Sequence, residues 1–141
     1  MKFLSHTLEF KTSHPLEILD LTEEIKDFAE SSKFNNGILM VSTFHTTTAL
    51  VINERCEELQ RDMLDFLTRL APLKEKYRHN QVAVDGRQNA HSHLLSLLMS
   101  SQQSLILKNS KLQIGPWQSV FLIELDGPRE QRKVNLNLMG V

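Results

Sequence analysis

The sequence predicts an α+β fold in one compact domain over residues 1–141, with about three helices among many short strands. The first reason is length, because 141 residues is close to the commonest size of a single domain. The second reason is the order of the elements: helical and strand patterns do not alternate regularly, which disfavours a parallel βαβ architecture. No internal repeat or low-complexity tract marks a second domain.

The N-terminal part of the chain predicts two strands and a helix. In LSHTLEF (4–10), apolar residues alternate with polar ones, as in a strand with one solvent-exposed face. The turn SHP (13–15) leads into LEILDL (16–21), which is expected to form a hairpin with the first strand. Asp20 and Glu23 have the spacing of a capping box and predict the start of a helix.

The middle of the chain predicts two further strands and two helices. The segments 37–44 and 48–53 are apolar and rich in β-branched residues, and the second is expected to continue or neighbour the first. Asn53 is expected to cap a helix running through residue 70, whereas residues 73–88 lack periodicity and predict a loop. Residues 89–100 contain neither Gly nor Pro and predict the third helix. The apolar stripe of the second helix comprises Leu59, Met63, Phe66, Leu67 and Leu70.

The C-terminal third predicts strands separated by short turns. The candidate strands are SLILK, KLQI, WQSVFLIEL and RKVNLNLM, and the intervening turns contain Asn-Ser, Gly-Pro and Asp-Gly-Pro. With only three helices, this run of strands favours the α+β class.

Composition and charge exclude several functional classes. Hydrophobic residues make up 40% and charged residues 23% of the chain, which is typical of a soluble globular protein. The net charge of -1 provides no basic surface for nucleic acid or anionic membranes. The single cysteine, Cys56, excludes an internal disulfide and a cysteine-built zinc site. Without a signal-peptide pattern or a long apolar segment, the chain is expected to be cytoplasmic.

His91 and His93 lie two positions apart in the third predicted helix. Residues two apart are separated by about 200° around a helix, so the two rings cannot reach one metal ion. His93 shares a helical face with Leu97 and is expected to face the core, whereas His91 is expected near solvent in the first turn.

Two more histidines are candidates to act with His93. His45 ends a predicted strand in the run HTTTA, where the hydroxyls of Thr46 and Thr47 could orient the ring or bind a phosphate. His79 lies in the predicted loop ahead of the third helix. Three imidazoles that leave one coordination position open match a catalytic zinc-type site. The alternative is that each histidine satisfies only local hydrogen bonds.

The C-terminal strands carry further candidates. Gln118 and Glu124 share one face of the strand WQSVFLIEL. A carboxylate on so apolar a strand needs a partner, a metal ion or a place at the strand end, so a functional role and pairing with an arginine both fit. The DGPR turn (126–129) places Arg129 as a candidate anion-binding group. Glycine-rich phosphate loops, dinucleotide fingerprints and nucleophile elbows are absent.

Four blocks together resemble the YjbQ-like family, which is linked to secondary thiamine-phosphate synthase activity: GILMVSTFHTTTALVINE, YRHN, NAHSHLLSLLMSS and LQIGPWQSVFLIELDGPREQRKV. The resemblance implies a β-sandwich-like, mostly antiparallel core and a homotrimer. It also implies a site near subunit interfaces, where His45, His79 and His93 hold a divalent metal. The other matching positions are Asn53, Glu54, Asp62, Trp117, Gln118 and Arg129. Pro116 departs from the family, because it stands where a threonine is usual and removes a hydroxyl and an N–H.

The resemblance further implies an enzyme that joins a hydroxymethylpyrimidine diphosphate to a thiazole phosphate and releases pyrophosphate, as a main or a side activity. The catalytic residues would then be Glu54, Glu124 and Arg129, and the substrate-binding residues would be Thr46, Thr47, Asn53, Arg87 and Gln118. Three histidines favour zinc, whereas diphosphate chemistry usually employs magnesium, so both metals and a metal-assisted hydrolysis remain open. The alternative class is a trimeric metal- or small-ligand-binding protein without turnover.

Overall fold

The computed structural model describes all residues from Met1 to Val141 and confirms the α+β class. The eight strands are β1 (Lys2–Phe10), β2 (Glu17–Asp20), β3 (Asn36–Ser42), β4 (Thr48–Glu54), β5 (Gln102–Lys108), β6 (Lys111–Gln113), β7 (Gln118–Glu124) and β8 (Arg132–Gly140). The helices are α1 (Thr22–Ser31), α2 (Glu57–Leu70) and α3 (Ala90–Leu98), with a 3₁₀ turn at His79–Gln81. None of the helices is long and apolar enough to cross a membrane.

The strands form two antiparallel sheets. The larger sheet has the order β1-β8-β3-β5-β6, and the smaller has the order β2-β7-β4. A core of 15 buried residues contains side chains from both sheets and from α1, so the sheets pack face to face. Its members include Leu39, Leu105 and Leu136 from the larger sheet, Leu50 and Leu122 from the smaller sheet, and Ile25 from α1.

The opposite face of the smaller sheet is covered by α2 and α3. Phe121 and Ile123 of β7 pack there with Leu67 of α2 and Leu95 of α3 in a second apolar cluster. The central strand β7 is therefore buried on both faces, which explains its almost unbroken apolar sequence.

The register of β4 and β7 divides the smaller sheet into two distinct ends. Thr48 pairs with Glu124 at one end, and Glu54 pairs with Gln118 at the other. The first end also receives the loop from β3, the turn after β7 and helix α3. Most of the candidate functional residues lie at this first end.

Two predicted strand pairings are wrong. β2 does not form a hairpin with β1, because β2 pairs with β7 in the smaller sheet while β1 pairs with β8. β4 neither continues nor neighbours β3, because the loop at 43–47 carries the chain from one sheet to the other.

The second helix also begins later than predicted. Asn53 and Glu54 still belong to β4, so Asn53 cannot cap α2, and Cys56 occupies the N-cap position. Only part of the predicted apolar stripe is buried: Leu67 faces the core, whereas Phe66 and Leu70 are exposed.

Candidate functional site

The candidate site lies where the chain leaves the larger sheet after β3. Ser42 and Asn135 form the last pair between β3 and β8, and the loop that follows crosses to β4. The loop is fixed at its base, because the hydroxyls of Thr43 and Thr48 lie 2.9 Å apart and the Thr43 N–H donates to the Ser101 carbonyl. This crossing places His45, Thr46 and Thr47 at one end of the sandwich.

The side chain of His45 binds the backbone of β8 at a point where β3 no longer pairs with it. Its Nε2 accepts a hydrogen bond from the backbone N–H of Lys133 over 3.0 Å, beyond the last β3–β8 pair. A neutral ring that accepts at Nε2 carries its proton on Nδ1. Burial lowers the pKa of His45, as do the charges of Arg132, Arg129 and Lys133, which outweigh an opposing effect of Glu124. His45 is therefore a neutral ring in cationic surroundings.

His79 and His93 are in contact. Their ring centroids lie 5.0 Å apart with an interplanar angle of 86°, an edge-to-face arrangement. The Asn80 side-chain oxygen accepts from the Ala90 N–H over 3.0 Å and thereby ties the 3₁₀ turn to the start of α3. The two rings line a cavity of about 560 Å³ that also includes Tyr77.

His93 also connects this cavity to His45. A second open cavity of about 500 Å³ is lined by both His45 and His93, together with Thr46 and Ser96. Ser96 donates to the Thr46 carbonyl over 2.7 Å, which fixes the 43–47 loop against α3. His93 thus stands between His79 and His45.

The three histidines do not form a preorganised metal site within one chain. No group of three or more His, Cys, Asp or Glu side chains has an arrangement that could hold an ion. The three rings fit a zinc-type site only in part. The His79 and His93 rings are adjacent, whereas Nε2 of His45 already accepts a hydrogen bond from the Lys133 N–H. A zinc-type site within one chain would contain two of the three predicted ligands.

The predicted orientation of α3 is wrong for both histidines. Ser92 and Leu95 face the core, whereas Leu97 is 76% exposed, so His93 lies on the outer side of the helix. His91, predicted to lie near solvent, is half-buried on another side, where it lines a different, smaller cavity and its Nδ1 is buried. The separation of His91 from His93 is confirmed, and the outward position of His93 is the one that a ligand could reach.

Glu124 forms a fully buried ion pair with Arg132. Nε of Arg132 donates to Glu124 over 2.7 Å and Nη2 donates over 2.6 Å, while the Thr12 hydroxyl and the Asp126 N–H each donate over 2.9 Å. Burial opposes ionisation, but the bonds from Arg132, Asp126 and Thr12 lower the pKa of Glu124 below its usual value. Arg132 also donates to the Thr47 hydroxyl over 2.9 Å. Glu124 is therefore placed to support the site from within, out of reach of a substrate.

Asp126 holds two arginines beside Asn89, the N-cap residue of α3. Arg87 donates to its carboxylate over 2.9 and 3.0 Å, and Arg129 and Asn89 also donate to it. Burial raises the pKa of Asp126, but these bonds dominate and lower it to about 2. The side chains of Arg87 and Arg129 are 36% and 32% exposed. Two guanidinium groups share this carboxylate and both stay partly exposed, while the Asp85 carboxylate also lies beside Arg87 and accepts from its backbone N–H over 3.0 Å.

Three predicted site residues lie elsewhere. Asn53, Glu54 and Gln118 are exposed at the opposite end of the β4–β7 pair. They lie five or six positions along the strands from Thr48 and Glu124, which corresponds to roughly 17–20 Å. Within one chain, the structure does not bring them to the histidines. Asp62, on α2, is also exposed.

Sequence reasoning missed Arg132 and the central position of Asp126. The available signal was Glu124 itself, since a carboxylate on an apolar strand requires a cation. Nothing in the spacing distinguished Arg132 from the other arginines of the chain.

Comparison with known proteins finds a matching family model and relatives of this chain in several organisms. The family model described as "UPF0047 protein YjbQ-like" matches residues 6–141. A UPF0047 protein of Methanothermobacter thermautotrophicus is 38% identical over 140 residues, which is 99% of this chain and 94% of the relative. The UPF0047 protein YugU of Bacillus subtilis is 30% identical over 95% of this chain and 98% of its own length.

Solved structures show the same architecture. A YbjQ-like protein of unknown function from Sulfolobus solfataricus superposes with a TM-score of 0.94 at 29% identity, covering 99% of each chain. A hypothetical protein from Aeropyrum pernix superposes with a TM-score of 0.88 at 33% identity, covering 100% of each chain.

Proposed function

Because this chain belongs to the UPF0047 YjbQ-like family, we propose that it is a metal-dependent enzyme acting on a small phosphorylated molecule. The reaction that we propose joins a hydroxymethylpyrimidine diphosphate to a thiazole phosphate and releases pyrophosphate, as a main or a side activity in the cytoplasm. The observation that carries the proposal is the edge-to-face contact of His79 and His93, with ring centroids 5.0 Å apart, in a cavity that Lys76 and Arg78 also line.

The metal would be held by His79 and His93. Both are imidazole donors, which suit zinc better than magnesium. When bound, a divalent ion would neutralise charge on the phosphate oxygens of the substrate. His45 would join this set only by releasing the Lys133 N–H, so within one chain its present role is to position the 43–47 loop.

The phosphate groups would be bound by Arg87 and Arg129. Both guanidinium groups are already oriented by Asp126, so little conformational entropy is lost when they bind an anion. Thr46 is exposed on the loop beside His45 and can donate its hydroxyl to a phosphate oxygen. Thr47, predicted to bind substrate, instead contacts Arg132 and stabilises the loop.

We also include the homotrimer in this proposal. Asn53, Glu54 and Gln118 lie too far from the histidines to act with them within one chain. A neighbouring copy is the source from which such groups could reach the site. An exposed apolar row on the larger sheet offers a surface for that association.

The proposal is tested by measuring zinc content and pyrophosphate release together. The wild-type protein should bind about one zinc ion per chain and release pyrophosphate from the two substrates in a coupled assay. His93→Ala should weaken zinc binding at least about tenfold and abolish turnover, because it removes a metal ligand. The matched control is His14→Ala, since His14 is exposed and outside both cavities.

Two outcomes would contradict the proposal. Unchanged zinc binding in His93→Ala would show that the metal, if bound, is held elsewhere. Zinc binding without pyrophosphate release would rule out the proposed reaction and favour the second candidate.

The second candidate is a metal- or small-ligand-binding protein without turnover. The burial of Glu124 favours it, because the carboxylate expected to act in catalysis is engaged by Arg132 and inaccessible. In that case His93→Ala removes ligand binding, and no substrate pair gives a measurable rate.

A further inference from the structure

The 43–47 loop borders an open cavity that carries hydroxyl and imidazole groups but no carboxylate. This cavity, of about 500 Å³, lies between the loop and α3. None of its lining residues is Asp, Glu, Lys or Arg, so its ionisable groups are the rings of His45 and His93. The hydroxyl groups of the lining belong to Thr43, Thr46, Thr48, Ser96 and Ser101.

The backbone N–H of Lys133 determines which nitrogen of His45 carries the ring proton. A peptide N–H can only donate, so Nε2, at 3.0 Å, must accept with its lone pair. An imidazolium ring has no lone pair to accept with, so the ring is neutral and its proton is on Nδ1. Neither nitrogen is then an ordinary metal ligand, because the lone pair of one is engaged and the other bears the proton. His45 is therefore a hydrogen-bond donor at Nδ1.

The Nδ1–H group of His45 has no partner within the chain. The hydrogen bonds of this residue are those of Nε2 with Lys133 and of its backbone N–H with the Thr43 hydroxyl at 3.4 Å. Nδ1 of His45 is also not among the buried unpaired atoms and is therefore accessible from outside. The neighbouring Thr46 is exposed, and it bonds to α3 only through its carbonyl, so its hydroxyl is free as well.

We infer that the 43–47 loop binds an oxygen atom of one phosphate group of the substrate, through the Nδ1–H of His45 and the hydroxyl of Thr46. This inference rests on the proposed function and gives His45 the role of a donor instead of a metal ligand. A phosphate oxygen is a charged acceptor and forms stronger hydrogen bonds than a neutral one. Because the lining contains no carboxylate, no negative side chain of the cavity repels the anion. The bond to Lys133 fixes the ring in advance, so little freedom is lost when the anion binds.

The inference is tested by calorimetric titration of the zinc-free protein with inorganic phosphate, which requires neither metal nor turnover. His45→Gln places an amide oxygen near the position of Nε2, where it can accept from the Lys133 N–H, but leaves no donor at the position of Nδ1. The affinity for phosphate should fall at least about tenfold, the effect of a hydrogen bond to a charged acceptor. His6→Gln is the matched control and should bind phosphate like the wild type, because His6 is exposed on β1 and lines neither histidine cavity.

A second variant separates hydrogen-bond donation from positioning of the loop. The amide nitrogen of His45→Asn can replace the Nδ1 donor, whereas this side chain is too short to reach Lys133. His45→Asn should therefore bind phosphate more tightly than His45→Gln, although the NMR signal of the Lys133 amide shifts in His45→Asn and is retained in His45→Gln. A ring that acts only by holding the loop predicts the reverse order of affinities.

Several outcomes would overturn the inference. They are no phosphate binding by the wild type, an unchanged affinity in His45→Gln, or a His45→Asn variant that binds no more tightly than His45→Gln. Loss of zinc from His45→Gln would also overturn it, because the ring would then be a metal ligand. Absence of zinc or of pyrophosphate release in the wild type contradicts the proposed function instead, and the phosphate affinities of the zinc-free variants distinguish the two failures.

Discussion

The carboxylate of Glu124 has no exposed surface and is held by Arg132, Thr12 and the backbone of Asp126. Arg132 begins β8 in the larger sheet, whereas Glu124 ends β7 in the smaller one. The ion pair therefore joins the two sheets at the end that carries the candidate site. Because Arg132 also binds Thr47, the pair positions the loop on which His45 lies.

Replacing one partner of this pair should be strongly destabilising. Glu124→Gln leaves the guanidinium of Arg132 buried without a counter-charge, so the free energy of unfolding should fall by about 3–5 kcal/mol. Urea denaturation followed by circular dichroism measures the change. Glu9→Gln provides the comparison, because Glu9 and Lys133 form an exposed pair at 3.7 Å whose loss should cost less than about 1 kcal/mol.

The double variant Glu124→Leu, Arg132→Met separates the charge effect from lost packing. With both charges removed, it should be more stable than Glu124→Gln. If the losses of unfolding free energy in the Glu124→Leu and Arg132→Met single variants simply add in the double variant, the buried charge is not the cause of the destabilisation. The need of Glu124 for a partner could be predicted from the apolar strand around it. The identity of that partner could not, because it depends on where β8 lies relative to β7.

At the level of single elements, local sequence patterns predict where the strands and helices lie, but they do not predict which strands pair with each other. The segments that form β3 and β4 were recognised from their apolar, β-branched residues, yet their partners lie far away in the chain. Thr48 pairs with Glu124 and Ser42 pairs with Gln102, and no local pattern encodes such distant pairings. The predicted hairpin between β1 and β2 was wrong for the same reason.

Helix α3 shows a related limit. Leu94, Leu95, Leu97 and Leu98 lie within an arc of about 160° around the helix, yet only Leu95 is buried, so periodicity alone could not identify the face toward the core. The opposite positions of His91 and His93 could be predicted, because they follow from helix geometry whichever face is buried.

The pairing of β3 with β8 depends on two glycines that lie opposite each other. A Cβ at Gly140 would lie 2.2 Å from the Asn36 carbonyl oxygen and 2.8 Å from the Cα of Gly37. Gly140→Ala should therefore force the strands apart and lower the free energy of unfolding by roughly 1–3 kcal/mol. Thermal denaturation checks this value.

Gly115→Ala is the control for that substitution. At Gly115 the nearest atoms belong to the flexible side chain of Gln118, at 3.0 Å and beyond, so it can move aside. The stability of this variant should stay close to that of the wild type. Equal losses in both variants would show that the close approach of β3 and β8 does not determine the cost, since the change in unfolded-chain entropy favours alanine at both positions.

At the level of the whole molecule, the outer face of the larger sheet is not covered by any helix. Phe3, Met139, Ile38 and Ile106 are cross-strand neighbours on β1, β8, β3 and β5, and all four are exposed. A contiguous apolar row across four strands is unusual on a surface that faces only water, and it is typical of a subunit interface. Met40 extends the row along β3.

If this face mediates the proposed homotrimer, a charge within it should dissociate the assembly. Ile38 is 49% exposed in the single chain, so Ile38→Lys should fold while its ammonium group opposes burial between subunits. Light scattering coupled to size exclusion should give three times the chain mass of 16.2 kDa for the wild type and the chain mass for the variant. Phe66→Lys is the matched control, because Phe66 is apolar and 55% exposed but lies on α2, outside this face and outside both histidine cavities. A wild-type monomer would refute the trimer itself, and a trimeric Ile38→Lys protein would place the interface on another surface. Because Ile38 lies on the larger sheet and lines neither histidine cavity, a monomeric variant that still binds zinc would also show that the histidine pair holds the metal within one chain.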